Sequence, residues 1–584
     1  MKKIMNRPET LVYEMCKGIE LAHPEIEFLE KFKVLKKKEI NASKVTLISG
    51  GGSGHEPAHA GFIGSGLLDA AVCGDVFASP SQIQVYQAIK ETASEAGTLL
   101  IIKNYSGDMM NFQNAAHLAN EDGIKVDYVK VDDDIAVQDS LYTVGRRGVA
   151  GTLFVHKIAG AMAERGANLE AVKAAAEKAA LNVRTLGFAL SSCTVPAKGS
   201  PTFEIGEGEM EYGVGIHGEP GIKREAAIHA DALAERMVSA LIKDLKLENE
   251  DVAVLVNGFG GTPLQELYLL NHAVTVALDQ HGIKVYRVFV GNFMTSIDML
   301  GASLSIMKLD DSLKDLLSEK CDAPAFKVSG EVPPVAYVPL ALNINNTFDE
   351  SAIFERTTSS DYSIIQNDVM TFENLLYLID VMSDCIIKNE VAFCELDAHA
   401  GDGDFGMSVS KGFKQLKREW QSLLSIANDI STFLSESALI IMEHCGGASG
   451  PIWGSAFRAA GKYAVGKSTL TVKELSEMMV AAISAIQNTG ERSFGRGAVV
   501  GDKTLIDALV PCANALADAA DSNVTMIEAL KRGADAAILG AKSTEQIVAR
   551  MGRAGTVGER SLGHPDAGAH ALGVIFKEIS QKMK

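Results

Sequence analysis

Leu396-Asp397-Ala398-His399-Ala400-Gly401-Asp402-Gly403-Asp404-Phe405-Gly406 places three aspartates within eight residues, with glycines between them. Glycine lets the backbone curl. Three carboxylates on a curled loop repel one another unless a cation cancels their charge. A hard divalent ion such as Mg²⁺ suits them, because it takes oxygen ligands and keeps positions for water or phosphate. An EF-hand starting at Asp402 fails, since its fifth position is Gly406 and its twelfth is Phe413, where an acid is needed.

The texture differs on the two sides of this stretch. From residue 365 to 584, helical patterns recur at 369–388, 426–444, 471–487, 504–520, 526–539 and 567–580, and strand-like runs nearly vanish. That spacing predicts an all-helical domain of about eight helices, with the aspartate loop joining the first helix to one starting near Met407. Upstream, apolar β-branched runs at 45–48, 98–102, 126–131, 252–256 and 285–290 alternate with helical patterns such as 81–96 and 168–181. Alternation predicts an α/β fold with largely parallel sheets and ligand loops at the strands' carboxyl ends. A change near 183 divides this part into lobes 1–182 and 183–330. A Pro-rich and then polar stretch, 331–364, reads as a linker.

Bulk composition sets limits. The 584 residues predict about two to four domains. A net charge of −19 argues against nucleic acid or an anionic membrane as the main partner. Eight scattered cysteines with no Cys-x-x-Cys pair read as free thiols in a reducing compartment. Met-Lys-Lys-Ile-Met-Asn-Arg-Pro lacks the apolar core of a signal peptide, and no apolar run approaches the ~18 residues of a membrane span. The expectation is a cytoplasmic protein.

Several motifs carry chemistry. Gly461–Ser468 fits a Walker A loop, but the preceding 455–464 reads as helix, where the phosphate cradle needs a strand; the match is by chance. Ser49-Gly50-Gly51-Gly52-Ser53-Gly54-His55-Glu56-Pro57 follows a strand and offers amide donors and a titratable ring. Lys103 to Asp108 sets a base and an acid at the next strand's end, as hydroxyl activation requires. In Gly215-Ile216-His217-Gly218-Glu219-Pro220-Gly221 the flanking glycines leave the imidazole open as nucleophile or base. Gly446–Gly450 breaks two helices, and a helix starting at Ser449 would offer an anion site. Gly501-Asp502-Lys503-Thr504 reads as N-capping of the following helix. The segment from Gly552 to Gly568 is long enough to be functional.

Together, in order and over nearly the whole chain, these motifs resemble the dihydroxyacetone kinase family in its single-chain, ATP-dependent form. The substrate subunit is resembled by Ser49–Phe62, Cys73–Pro80, Lys103–Asp108 and Gly215–Gly221, and the nucleotide subunit by Leu396–Gly406, Gly446–Gly450, Gly501–Leu509 and Gly552–Gly568. The resemblance implies a helical barrel of antiparallel helices for 365–584. It implies that His217 holds the ketone as a hemiaminal, that Asp108 accepts the hydroxyl proton, and that His55 and Lys103, with Gly52 and Ser53, bind and polarise the substrate. It implies two Mg²⁺ on Asp397, Asp402 and Asp404, and ATP contacts from Gly403, Asp404, Phe405, Gly406, Ala448, Ser449, Thr504, Leu505, Arg553, Asp566, Ala567 and Gly568. Ala448, Ala567 and Gly555-Thr556-Val557 depart from the family's usual residues. The implied reaction is phosphorylation of dihydroxyacetone in a homodimer, domain-swapped or not. Alternatives are a related ketose such as erythrulose, or a catalytically silent regulatory homologue.

Overall fold

The computed structural model describes residues 3–137, 145–340 and 358–584. The chain forms two compact units, 1–341 and 342–584. The boundary falls inside the Pro-rich segment, of which 341–357 lie outside the described residues.

The first unit is built on two six-stranded sheets. One contains β1 (Ile26–Leu29), β2 (Val34–Lys37), β3 (Thr46–Ser53), β4 (Ala70–Val76), β5 (Thr98–Lys103) and β6 (Val126–Val131), ordered β1-β2-β4-β3-β5-β6. β4, β3, β5 and β6 run parallel, and β1–β2 extend the edge antiparallel. β5, Thr-Leu-Leu-Ile-Ile-Lys, is buried along its whole length, as a parallel strand covered on both faces must be. The other sheet contains β7 (Val183–Ala189), β8 (Glu209–Tyr212), β9 (Lys223–Ala226), β10 (Asp251–Gly258), β11 (Val285–Gly291) and β12 (Gly301–Leu309), ordered β11-β10-β12-β7-β8-β9. Here only β10–β11 is parallel. The expectation of largely parallel sheets therefore holds for the first sheet and fails for the second. Apolar runs report burial, and burial does not fix strand direction.

Helices α1 (Leu11–Ala22), α2 (Gln82–Glu91), α3 (Ser106–Glu121), α4 (Thr152–Glu164), α5 (Leu169–Asn182), α6 (Ala230–Leu245), α7 (Leu264–Gln280) and α8 (Asp311–Ser318), with a short antiparallel pairing of 321–323 and 326–328, also belong to this unit. α4 is nearly all buried, and with α5 it belongs to one continuous core with residues of both sheets, such as Ile101 and Ala253.

The glycines Gly50, Gly51 and Gly52 lie inside β3 and not in a loop after it. Close approach requires them. A Cβ on Gly50 would stand 2.4 Å from the Val72 carbonyl oxygen, and one on Gly51 would stand 2.6 Å from the Lys103 Nζ.

Among the described residues the second unit is helical apart from a two-residue pairing of 370–371 with 469–470 and an isolated bridge between 366 and 369. Its helices are α9 (Phe372–Lys388), α10 (Glu390–Asp397), α11 (Phe405–Arg418), α12 (Trp420–Ile426), α13 (Ile430–His444), α14 (Ser449–Tyr463), α15 (Val472–Phe494), α16 (Ile506–Asp521), α17 (Met526–Ser543) and α18 (Ala567–Lys582). Eight are long, and α10 and α12 are short. The aspartate loop follows α10 rather than the first helix. The long helices pack in a closed ring, α9-α11-α13-α14-α15-α16-α17-α18 and back to α9. The ring is lined inside by apolar side chains, including Ile379, Trp453, Met478 and Phe576, around a cavity of about 170 Å³. Each helix buries one apolar stripe toward the axis, the amphipathic pattern of a bundle. Among the described residues no helix is long and apolar enough to cross a membrane. The eight cysteines are free, and all but Cys394 are buried.

Gly461–Ser468 spans the end of α14 and the turn after it, and Lys467 pairs with Glu474 at 2.7 Å. No strand leads into it, so the phosphate cradle is absent.

Candidate functional site

Two clusters form, one in each unit. In the first unit, β3 ends at Ser53 and delivers His55, β5 ends at Lys103, α3 carries Asp108 in its first turn, and the loop between β8 and β9 carries His217. His55 Nε2 lies 3.2 Å from His217 Nε2. His55 Nδ1 lies 2.8 Å from the Thr295 carbonyl oxygen. A carbonyl only accepts, so His55 donates from Nδ1. Burial, reinforced by His217 and Lys103, holds the His55 pKa well below its usual value and keeps the ring neutral. Its Nε2 is then an acceptor, and His217 donates from Nε2. Burial, followed by Lys103 and Arg147, pushes the His217 pKa down to about 3. The His217 ring packs edge-on to Tyr105 and Phe77.

Lys103 donates to the Gly50 carbonyl at 3.0 Å and reaches His59 Nε2 at 2.9 Å. Its ammonium stands 3.9 Å from Asp108 Oδ2, too far for a hydrogen bond. Asp108 Oδ1 is buried with no hydrogen-bond partner. Burial raises the Asp108 pKa, against the opposing charge of Lys103. A buried carboxylate with an open lone pair, facing a cation across a gap, is a base waiting for a donor. Gly52 and Ser53 line the same edge. Ser53 donates to the Gly74 carbonyl, and a Cβ on Gly52 would meet the Ala78 amide nitrogen at 2.7 Å.

A support that the sequence did not disclose holds the His217 loop. Glu219 accepts the His217 amide N–H at 2.9 Å and is gripped by Arg147 at 2.8 Å. Arg147 also pairs with Asp134 and donates to the Gly213 carbonyl. Arg147 lies 72 residues from Glu219 and 66 from Gly213, and no local pattern could pair them.

The buried histidines make stability depend on pH. His55, His59, His156 and His217 all have pKa values lowered mainly by burial, from 6.5 to about 3 for His156 and His217. Below pH 6.5 the unfolded chain binds protons that the folded chain refuses, so stability falls on acidification. Each neutral buried histidine contributes a slope of up to about 1.4 kcal/mol per pH unit. The denaturant midpoint of the first unit should drop steeply between about pH 6.5 and 5. A flat midpoint over that window would show that these rings are not buried neutral.

In the second unit, Asp397 ends α10 and Asp404 occupies the N-cap position of α11. One ligand oxygen each from Asp397, Asp402 and Asp404 lies within 4.8 Å of the others. Gly403, at φ +76°, turns its amide onto Asp397 Oδ2 at 2.9 Å. This spacing fits divalent-cation ligation, since three anions so close need a counter-charge.

The carboxylates open into a cavity of about 220 Å³ at one rim of the ring. Phe405, Ser449, Leu505 and Ala567 line it, and they start α11 and α14, cap α16, and start α18. Four of the eight long helices thus begin at this rim, as alternating helix directions require. Their positive ends converge on one space, which suits a polyanion. Ala448, Thr504, Asp566 and Gly568 line the same cavity. Gly403 and Gly406 stand beside it. A Cβ on Gly406 would lie 2.0 Å from the Glu390 carbonyl oxygen, so that glycine lets α11 pack on α10. The Arg553 side chain lies outside the described residues.

Asp566 caps α18 through the Ala569 amide, and burial with nearby Asp507 and Asp397 pushes its pKa up to about 7. Lys503, read from sequence as part of a cap, instead donates to the Thr544, Ser561 and His564 carbonyls and ties the rim loops together. Asp507, in the first turn of α16, accepts from the Gly501 and Thr504 amides and folds the approaching segment onto that helix.

Two separate clusters thus stand in the chain, a histidine pair beside an open carboxylate and a tri-aspartate rim. Comparison with known proteins gives the family. Residues 17–325 match the Dak1 domain and 399–581 the DAK2 domain. The dihydroxyacetone-binding subunit DhaK of a phosphotransferase-dependent dihydroxyacetone kinase from Listeria innocua is 51% identical over 53% of this chain and 95% of its own. An L-erythrulose kinase from Pectobacterium atrosepticum is 33% identical over 99% of this chain and 96% of its own. The crystal structure of the dihydroxyacetone kinase from C. freundii in complex with AMP-PNP and Mg²⁺ superposes with TM-score 0.60, at 32% identity and 99% coverage of both chains. The chain belongs to the dihydroxyacetone kinase family.

Proposed function

We propose that this protein transfers the γ-phosphoryl group of ATP to a primary hydroxyl of dihydroxyacetone. The observation that carries this reading is the His55–His217 contact beside the open oxygen of Asp108. His217 adds its Nε2–H across the ketone carbonyl. As His55 draws the proton off, the N–H bond pair is freed in the ring plane on Nε2 and forms the Nε2–C bond while the carbonyl π pair moves to oxygen. His55 takes the Nε2 proton and returns it to that oxygen, leaving a neutral hemiaminal. A polyol has no electrophilic carbon and is refused. Lys103 and the backbone at Gly52 and Ser53 orient the held ketose. Asp108 then takes the hydroxyl proton as that oxygen attacks phosphorus.

In the second unit, Asp397, Asp402 and Asp404 would hold two Mg²⁺ ions. Bound there, Mg²⁺ offsets phosphate charge and stabilises the charge that develops in transfer. The helix starts at Phe405, Ser449, Leu505 and Ala567 would donate amides to the phosphates, with Ala448, Thr504, Asp566 and Gly568 around the nucleotide. Most of the catalysis in such a transfer is positioning and charge stabilisation.

The whole-length similarity to an L-erythrulose kinase favours a second reading, in which a four-carbon ketose with the same hydroxyketone end is the preferred acceptor. Turnover with Mg-ATP over a panel of dihydroxyacetone, erythrulose and glycerol tests both. Phosphorylation of a ketose but not glycerol is expected. Glycerol turned over as well as the ketoses would contradict the hemiaminal, and no turnover would mark a silent homologue.

A further inference from the structure

We propose that His59, held by His156, is a positioning residue that aims the Lys103 ammonium at the acceptor hydroxyl. The proposal rests on the kinase reading above. An ammonium has three N–H donors and no acceptor. Lys103 directs one N–H to the Gly50 carbonyl and one to His59 Nε2. The third is left for the 3.9 Å gap to Asp108 Oδ2, where a hydroxyl oxygen would sit between cation and base.

His59 must accept at Nε2, so its proton is on Nδ1. Nδ1 lies 3.0 Å from His156 Nε2, which therefore accepts, and the His156 proton is on Nδ1. That Nδ1 is buried without a hydrogen-bond partner. The strand and helix scaffold thus tolerates one unsatisfied donor on His156 to fix the tautomer of the adjacent His59 ring. Both rings are buried, and burial depresses both pKa values. A neutral acceptor behind Lys103 anchors the ammonium without cancelling its charge, as a carboxylate would. The full charge then serves the alkoxide that forms as Asp108 removes the proton. His59 and His156 bond to Lys103 and to each other, while His55 and His217 form their own contact, so ketone capture and hydroxyl activation can be tested separately.

The groups facing Lys103 are Asp108 from α3, His59 from the segment after β3, His156 from α4, and His55 and His217 across the site. Removing the His59 acceptor destabilises the charged amine, so the basic limb of kcat/KM should move to lower pH. The test compares His59→Leu, His59→Gln and His156→Leu with the wild type, using dihydroxyacetone and Mg-ATP. His59→Leu is expected to keep the ketose adduct in the intact-protein mass, to lose about tenfold to a hundredfold in kcat, and to shift the basic limb down. His59→Gln, which retains an acceptor, should recover part of both, and His156→Leu should fall between. Wild-type turnover with His59→Leu within about twofold and an unmoved limb would overturn the role. So would loss of the adduct with turnover, or a Gln variant no better than Leu. A wild type without ketose turnover would instead remove the kinase reading and this role with it.

Discussion

Asp108→Asn is expected to lower kcat with dihydroxyacetone and Mg-ATP by about 10²–10⁴-fold, the usual contribution of a positioned general base. The amide is nearly isosteric, so α3 and the strand edge should stay in place. It cannot take a proton. The loss should appear in kcat more than in KM, because on the proposed mechanism His217, and not Asp108, holds the ketose. The adduct should therefore form on Asp108→Asn as on the wild type. Two features single out this carboxylate among the many in the chain. Its Oδ1 is buried and unsatisfied, and its Oδ2 faces Lys103 across a gap too long for a hydrogen bond. A structural ion pair would have closed that gap. Turnover of Asp108→Asn within about tenfold of wild type would place the base elsewhere.

Asp404→Asn carries the second large expectation. Metal-dependent binding of ATP should weaken by about 100-fold or more, since one of three anionic ligands is lost. The sign of the stability change separates this from damage. Without metal, three carboxylates within 4.8 Å repel, and removing one charge should leave the helical unit as stable or more so. Asp404 makes no side-chain capping bond to α11, so no cap is lost, and Asn is itself a good N-cap residue. Titration calorimetry with Mg-AMP-PNP and a melting curve without metal check both parts. Unchanged affinity would sink the ligand assignment.

Much of this arrangement is legible in the sequence where the cause is local. Three aspartates on a glycine-rich loop announce a cation because their spacing admits few other fates. Ser449 at a helix start follows from the glycines before it. The all-helical character of the second unit follows from repeated apolar stripes, whereas its closure into a ring is implied only by the family resemblance. The rest depends on long-range pairing. Only β3 meeting β4 explains Gly50, and only Lys103 reaching back under β3 explains Gly51. His59 and His156 are 97 positions apart, and although His59 falls within the Ser49–Phe62 motif, nothing in the chain beside either points to their pairing. Arg147 and Glu219 meet only because both sheets share one unit. Strand direction in the second sheet was likewise hidden, because apolar runs are the same in parallel and antiparallel burial. Lys503 looked like capping furniture because a tie to three carbonyls from distant loops leaves no trace beside it in the chain.

The claim on which the rest stands is that His217 captures the ketone covalently. The most direct measurement is the mass of the intact protein after incubation with dihydroxyacetone, for the wild type and for His217→Ala. The wild type should gain the mass of one dihydroxyacetone, with no loss of water, as a hemiaminal requires, and His217→Ala should gain nothing. An adduct of the same mass on His217→Ala, or none on a wild type that turns dihydroxyacetone over, would contradict it.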